Sequence, residues 1–420
     1  MADWRETTLG EICDEVGGVI QTGPFGSQLH ESDYAPEGVP VVMPKDIVDG
    51  RIATDSVARV SPEHVERLSR HKLRSGDIVY GRRGDIGRQA LIRPEQEGWM
   101  CGTGCLRLSF GESVLNPLFL HYYLRQDDVV TWITNQAVGA TMPNLNTGIL
   151  RTVPVRFPPL PVQRRIAGIL SAYDELIENS LRRIRLLEAM ARALYREWFV
   201  HFRFPGHEKL PRVASPLGDM PQGWEVKPLS ALCSRMESGG TPKRNTPEYW
   251  EGGDIEWFKT GELWDGFLFG SEEKITERGQ RESNARIFEP GTILMAIYGS
   301  PTVGRLGIVT RPSSCNQAAL GLVADTEHIS QTFLYFVLLS LRDHFNGLAQ
   351  GAAQQNISKE KVANAAALVP PRPLVTAFDR LADPTFSQVQ VLQRQIHNLR
   401  RTRDLLLPRL LSGQLEVKAP

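Results

Sequence analysis

The sequence predicts an α+β fold: two globular domains related by a pseudo-twofold and joined by two long antiparallel coiled-coil helices. Three observations predict it. The chain repeats itself at offsets of 212 to 220 residues. Each repeat opens on short apolar runs punctuated by Gly and Pro. Each repeat closes on one long run of apolar residues three or four apart.

The repeat is read first, because a missed duplication misassigns the whole fold. Trp4, Leu9 and Cys13 recur as Trp224, Leu229 and Cys233 at offset 220. Gly87-Arg88 recurs as Gly304-Arg305, and Cys101, Leu106 and Leu108 recur as Cys315, Leu320 and Leu322. From Gly139 the offset settles at 212, so Asn144 matches Asn356 and Pro158-Pro159 matches Pro370-Pro371. Loops of unequal length explain the earlier drift.

The first part of each repeat, 1–157 and 222–369, carries runs such as Val39-Pro40-Val41-Val42-Met43, Asp77-Ile78-Val79-Tyr80 and Ile293-Leu294-Met295-Ala296-Ile297. Short apolar runs bounded by turn residues read as strands. Amphipathic stretches near 117–134 and 331–346 read as helices, which gives the α+β class.

The second parts, 158–200 and 370–412, read as long helices launched by the Pro-Pro pairs. Ile166, Ile177, Ile184, Leu187, Leu194 and Trp198 form one stripe. Val389, Leu392, Ile396, Leu399, Leu406 and Leu410 form the other, at coiled-coil spacing with Arg403 as its one interruption. A single stripe must be buried, and the nearest equivalent surface is the other helix. Pro384 is expected to kink or delay the distal helix, so that its regular part starts near Phe386. The Pro- and Gly-rich segment 201–221 reads as a linker and 413–420 as a tail.

The balance of 48 Lys and Arg against 48 Asp and Glu gives no net charge, and 41% apolar residues suffice for real cores. No stretch reaches the roughly 18 apolar residues of a membrane span, and the start lacks a secretory apolar region. Cys13, Cys101, Cys105, Cys233 and Cys315 read as reduced thiols in a cytoplasmic protein. There is no phosphate-binding loop, no zinc-protease helix and no intact dinucleotide fingerprint. Phe157 and Val369, not an acid or Asn, precede the Pro-Pro pairs, against a DNA amino-methyltransferase. Glu272-Glu273-Lys274 lacks the upstream partner of a nuclease site and reads as a solvated charge run. The reading is a binding protein without catalysis or metal. A coiled-coil adaptor that binds proteins through its two heads, or an enzyme of unrecognised type, are the other readings.

Charge varies by region. Residues 1–150 carry 14 basic and 20 acidic side chains, and residues 213–370 carry 14 and 18. Acidic heads exclude a nonspecific polyanion binder. Basic residues cluster locally, with Lys72, Arg74, Arg82, Arg83 and Arg88 read as one compact face within 67–93. Guanidinium forks on a Gly-flanked loop suit guanine O6 and N7. The matched loop of the second repeat offers Tyr298, Ser300 and Arg305. Two amide loops at matched positions offer Thr141 and Asn144, then Gln354, Gln355 and Asn356, whose amides suit adenine. The Gly/Thr loops near 21–27 and 238–244 add Thr241 and Lys243, and Lys45 and Lys259 complete the candidate DNA-binding set.

The segment Tyr195-Arg196-Glu197-Trp198-Phe199-Val200-His201-Phe202-Arg203-Phe204-Pro205-Gly206 and the closing Leu405-Leu406-Leu407-Pro408-Arg409-Leu410-Leu411-Ser412-Gly413 resemble the DNA-specificity (S) subunits of type I restriction-modification systems. So do Thr22-Gly23-Pro24-Phe25-Gly26, Gly239-Gly240-Thr241-Pro242 with Tyr249-Trp250, and the entry to the central helix at 158–166. The resemblance spans essentially the whole chain. It implies two target-recognition domains, each reading half of a bipartite double-stranded DNA target. It implies paired helices that set the gap and dock two methylation (M) subunits, with restriction (R) subunits joining them. It also implies no active site here, with S-adenosylmethionine, ATP and Mg²⁺ held by partner subunits only. A helix of about 37 residues spans ~55 Å, which bounds the gap at about 16 base pairs.

Overall fold

The computed structural model describes residues 4–26, 28–83, 86–137, 144–299, 302–350 and 356–417. The chain divides into two compact units, residues 1–175 with 399–420, and residues 176–398.

In the first unit, β1 (Val19–Thr22), β2 (Val39–Val42), β3 (Ile78–Gly81), β4 (Gln89–Leu91), β5 (Met100–Cys101) and β6 (Cys105–Ser109) frame the core. The main sheet runs in the order β1-β6-β3-β4 and is antiparallel throughout. β2 and β5 pair in parallel in a second sheet. All four residues of β3 are buried, as a continuous apolar run flanked by Gly76 and Gly81 should be. Asp77, at the start of β3, meets Arg107 of β6 at 2.6 Å, with the side chains 3% and 8% exposed. The core gathers Ile78, Tyr80, Leu106, Leu108, Phe119 and Leu120, and Ile166, Leu170, Leu410 and Leu411 enter it from the long helices.

In the second unit the strands are β7 (Cys233–Ser238), β8 (Ile255–Phe258), β9 (Gly266–Leu268), β10 (Ile293–Ala296), β11 (Leu306–Val309), β12 (Ser313–Cys315) and β13 (Ala319–Ala324). The main sheet runs β7-β13-β10-β11-β9, with β9 added in parallel to β11. β8 pairs in parallel with β12 in the second sheet, as β2 pairs with β5. The duplicated sequence therefore folds to the same strand pattern twice, with β9 the main addition. The segment 201–221 carries structure of its own: Arg212–Val213 pairs with Met220–Pro221, and buried Phe204 packs on Trp224.

The two long helices are α1 (Leu160–Tyr195) and α2 (Arg372–Leu411). α1 ends in a π turn, Arg196–Val200, which seats Trp198 and Phe199 among Phe333 and Phe378. In the first unit the early part of α1 lies with the late part of α2. In the second unit the late part of α1 lies with the early part of α2, so the helices run antiparallel within each. Ile166, Ile177, Ile184, Trp198, Val389, Leu392, Ile396 and Leu410 are buried, and Leu187, Leu194, Leu399 and Leu406 are half-buried.

One expectation about α2 changes. The helix does not start near Phe386; it runs unbroken through Pro384 from Arg372. Proline removes one backbone hydrogen bond from a helix. Here Pro384 is exposed, while Phe378, Ala382 and Val389 on either side are buried and keep the helix packed on its neighbours. Arg403 interrupts the apolar stripe because it has a partner in the helix pair, Asp174.

The five cysteines are free thiols, and four are buried. Burial pushes the Cys101, Cys233 and Cys315 thiols up to about 12. Among the described residues no helix is long and apolar enough to cross a membrane, and no cluster of metal-ligating side chains occurs.

Candidate nucleic-acid interface

Strand polarity decides which loops meet. In the second unit β10 and β7 end where β11, β13 and β9 begin. Loops distant in sequence are thereby collected at one end of the sheet. Thr241 follows β7, Tyr298 follows β10, and Arg305 precedes β11. Lys259 follows β8, whose last carbonyl accepts from Asn316, so the second sheet adds its strand end to the same cluster.

Close backbone approach builds this end. A Cβ on Gly239 would lie 2.2 Å from the carbonyl oxygen of Cys315, and one on Gly23 would lie 2.1 Å from that of Gly102. Only glycine fits at either position. The Gly/Thr loops therefore lie directly against the turn before β13 and the turn before β6. Thr241 Oγ1 hydrogen-bonds the Gln317 amide on that turn.

Asn144 and Asn356, the last residues of the amide segments, join the same end in both units. Leu145 N–H donates to the carbonyl of Arg82 at 2.9 Å, and Ile357 N–H donates to the carbonyl of Ile297 at 2.9 Å. Arg82 Nε donates to Asn144 Oδ1 at 3.1 Å. In the second unit Asn356 Oδ1 accepts from Gly299 N–H at 3.1 Å. The two repeat-equivalent asparagines thus fasten the amide loop to the loop after the central strand. Sequence alone named these loops without placing them together.

The remaining candidates of the first unit divide. Lys45, Arg83 and Arg88 are exposed and lie with Arg82 at the end where β2 and β3 finish and β4 begins. Lys72 and Arg74 lie at the other end, before β3 begins, beside Arg70 in an open cleft. Lys72 is engaged by Glu66 at 2.8 Å. The compact basic face expected over 67–93 is therefore two patches. β3 runs between them, and four residues at about 3.3 Å each make ~13 Å.

Lys259 is held by Glu272 at 2.7 Å and by Glu273 at 3.7 Å. Its hydrogen bond to Glu272 raises its pKa. Glu273 also pairs with Arg244, and Lys274 pairs with the buried Glu256 at 3.1 Å. The Glu272-Glu273-Lys274 run is thus tied into ion pairs that position basic groups. Lys243 is exposed, and its carbonyl accepts from Trp250 Nε1. Thr141, Ser300, Gln354 and Gln355 lie outside the described residues.

Sequence reasoning did not name Gln317 or Trp264, and it placed Phe25 and Arg244 in the Gly/Thr loops without singling them out. Gln317 holds Thr241. Phe25, in the first Gly/Thr loop, is 55% exposed. Arg244 lies over Trp250 and Trp257, its guanidinium carbon 4.0 and 4.7 Å from their ring centres. Trp264 is 71% exposed, with Arg305 4.6 Å from its ring centre. Aligning Val48-Asp49-Gly50 with Trp264-Asp265-Gly266, at offset 216, would have singled out Trp264.

The arrangement presents guanidinium, amide, hydroxyl and aromatic groups on glycine-shaped loops at one end of each main sheet. Such groups read base edges and stack on bases, and among the described residues of the set none is a nucleophile with an adjacent base.

Comparison with known proteins agrees with this reading. The family described as type I restriction modification DNA specificity domain matches residues 1–189 and 221–373. The MjaIX type I restriction enzyme specificity subunit of Methanocaldococcus jannaschii is 24% identical over 430 residues, covering 99% of this chain and 97% of that protein. The HindI specificity subunit of Haemophilus influenzae is 21% identical, covering 99% and 100%. The crystal structure of a type I restriction-modification S subunit from M. genitalium superposes with a TM-score of 0.62 at 16% identity, covering 97% of this chain and 96% of that one.

Proposed function

The chain belongs to the type I restriction modification DNA specificity family, with two tandem copies of its domain, and from that premise we propose how it reads DNA. It is a non-catalytic specificity subunit that recognises the DNA target of a type I restriction-modification system. Each unit reads one half of a bipartite, gapped target with the loop end of its main sheet. The observation that carries this is the repeated asparagine fastening, Asn144 to Arg82 and Asn356 to Gly299, which assembles the same loops in both units.

The paired helices set the gap and dock two methylation subunits, which restriction subunits join. S-adenosylmethionine, ATP and Mg²⁺ belong to those partners, and the complex works in the cytoplasm. A protein-binding adaptor is the weaker reading, because it gives no reason for guanidinium and amide loops to gather at one sheet end.

The test is a methyl-adenine map of the source genome with and without this gene. One gapped, two-part motif should lose methylation on deletion. An unchanged map beside an active methylation subunit would overturn the reading.

A further inference from the structure

Among the described residues only Asp49, Phe202 and Asp265 are non-glycine residues with positive φ. Asp49 and Asp265 are repeat equivalents, at φ 50° and 62°, each followed by glycine. A left-handed aspartate costs free energy and persists only where its surroundings fix it.

Around Asp265 the fixing groups are visible. Arg342 grips its carboxylate with both terminal nitrogens. Its carboxylate accepts from Leu306 N–H at 2.9 Å, and its own N–H donates to the Leu306 carbonyl at 2.8 Å. The Tyr335 hydroxyl donates to its carbonyl at 2.7 Å. Arg342 Nε also donates to the carbonyl of Gly304, next to Arg305. One arginine thus anchors the residue after Trp264 and the residue before Arg305.

The residue before each of these aspartates carries an exposed apolar side chain. Trp264 is 71% exposed and Val48 is 51% exposed. The guanidinium of Arg305 stacks on the indole, and Arg88 is its repeat equivalent. The neighbours at that sheet end are Tyr298, Lys259 and Asn356, a basic and aromatic setting that complements DNA rather than an apolar protein face.

We propose that position 48/264 is a DNA-contacting specificity position, filled differently in the two repeats. Trp264, braced by Arg305, stacks on or wedges beside a base of its half-site. Val48 offers the smaller apolar contact that suits a thymine methyl. The proposal rests on the recognition reading above and deepens it. It also supplies a reason for the two half-sites to differ.

The experiment uses the full chain assembled with its methylation subunits, and a target duplex carrying 2-aminopurine in the half-site read by the second unit. Trp264→Ala should weaken target binding about 10- to 100-fold, the range of a lost base stack. It should change random-duplex binding far less. Trp264→Phe should restore most of the loss, subunit stoichiometry and melting should not move, and the 2-aminopurine signal should differ between wild type and Trp264→Ala. Unchanged target affinity would overturn the proposal. So would loss of a methylation subunit while the remaining complex binds DNA normally, since the tryptophan would then be covered by protein. If the wild-type complex itself shows no preference for a gapped target, the recognition reading fails first.

Discussion

Arg403 of α2 and Asp174 of α1, 229 residues apart in sequence, form an ion pair inside the first unit. Their side chains are 17% and 15% exposed. Tyr122 donates its hydroxyl to the other carboxylate oxygen at 2.7 Å, and Arg51 donates to the Asp174 carbonyl. The one charged position in the distal stripe is thus a polar lock in the helix pair of the first unit, and it favours one register.

Asp174→Ala leaves Arg403 only its exposed neighbour Asp404 and removes the acceptor of the Tyr122 hydroxyl, so it should cost about 1–3 kcal/mol of first-unit stability in urea titrations. Replacing both, Asp174→Leu with Arg403→Leu, should recover most of that loss. Burial alone would raise the Asp174 pKa, but hydrogen bonds from Tyr122 and Arg403 and the nearby positive charges outweigh it and leave it lowered. Its contribution is therefore full above the ordinary value of 3.8 and is lost as pH falls below it. An Asp174→Ala profile parallel to wild type through that range would contradict this.

His121 gives a second acid sensitivity. Burial, with help from Arg125, holds its pKa down to about 3, so it is neutral in the fold. Its Nδ1 hydrogen-bonds Gln89 Oε1 at 3.0 Å. The unfolded chain takes up the proton near 6.5 while the folded chain does not, so stability should fall as pH drops below 6.5 toward 3. Melting temperatures of His121→Gln should decline less steeply from pH 7 to 5 than those of wild type.

The division of the basic cluster predicts divided phenotypes. Arg82→Ala, Arg83→Ala and Arg88→Ala together should cost roughly 1–3 kcal/mol for each direct base contact and relax specificity in one half-site. Lys72→Ala with Arg74→Ala should leave specificity intact. Competition binding with half-site variants checks both, and equal loss of specificity in the two sets would refute the assignment.

Asn144→Ala and Asn356→Ala should each weaken target binding by about 1 kcal/mol through a loosened loop. Asparagine-to-aspartate changes keep an acceptor oxygen and should bind better than the alanines if fastening is the role. If the amide N–H₂ reads adenine instead, the aspartates should be no better, and footprints of the two half-sites distinguish the outcomes.

Pro384→Ala should stabilise the second unit. An interior proline costs up to about 3 kcal/mol relative to alanine, and the exposed site has room for the change. A gain of about 1–3 kcal/mol should appear as a higher urea midpoint at unchanged slope.

The duplication, the strand runs and the helix stripes were legible because each is a periodic signal carried by many residues. Pro384 misled because a local breaker was weighed without the buried Phe378, Ala382 and Val389 that hold the helix. The basic cluster misled for a related reason: residues ten apart that flank a strand emerge at opposite sheet ends. The Asn144 and Asn356 fastenings depend on strand order, which no local pattern reveals. Trp264 was passed over because its signal is a backbone angle at Asp265, and sequence shows only an Asp-Gly pair.

Leu410 and Leu411 complete a core whose other members include Leu9, Ile12 and Leu106, and a Cβ on Gly413 would lie 3.1 Å from the Trp4 ring. On the ribosome this inverts the order of assembly. The second unit has all of its residues by 398, while the unit begun first waits for residues 399–411 to emerge. A nascent chain therefore carries an unfinished first-unit core until residues 399–411 have emerged. A message truncated before residue 399 yields a protein whose first unit is the part exposed to proteolysis.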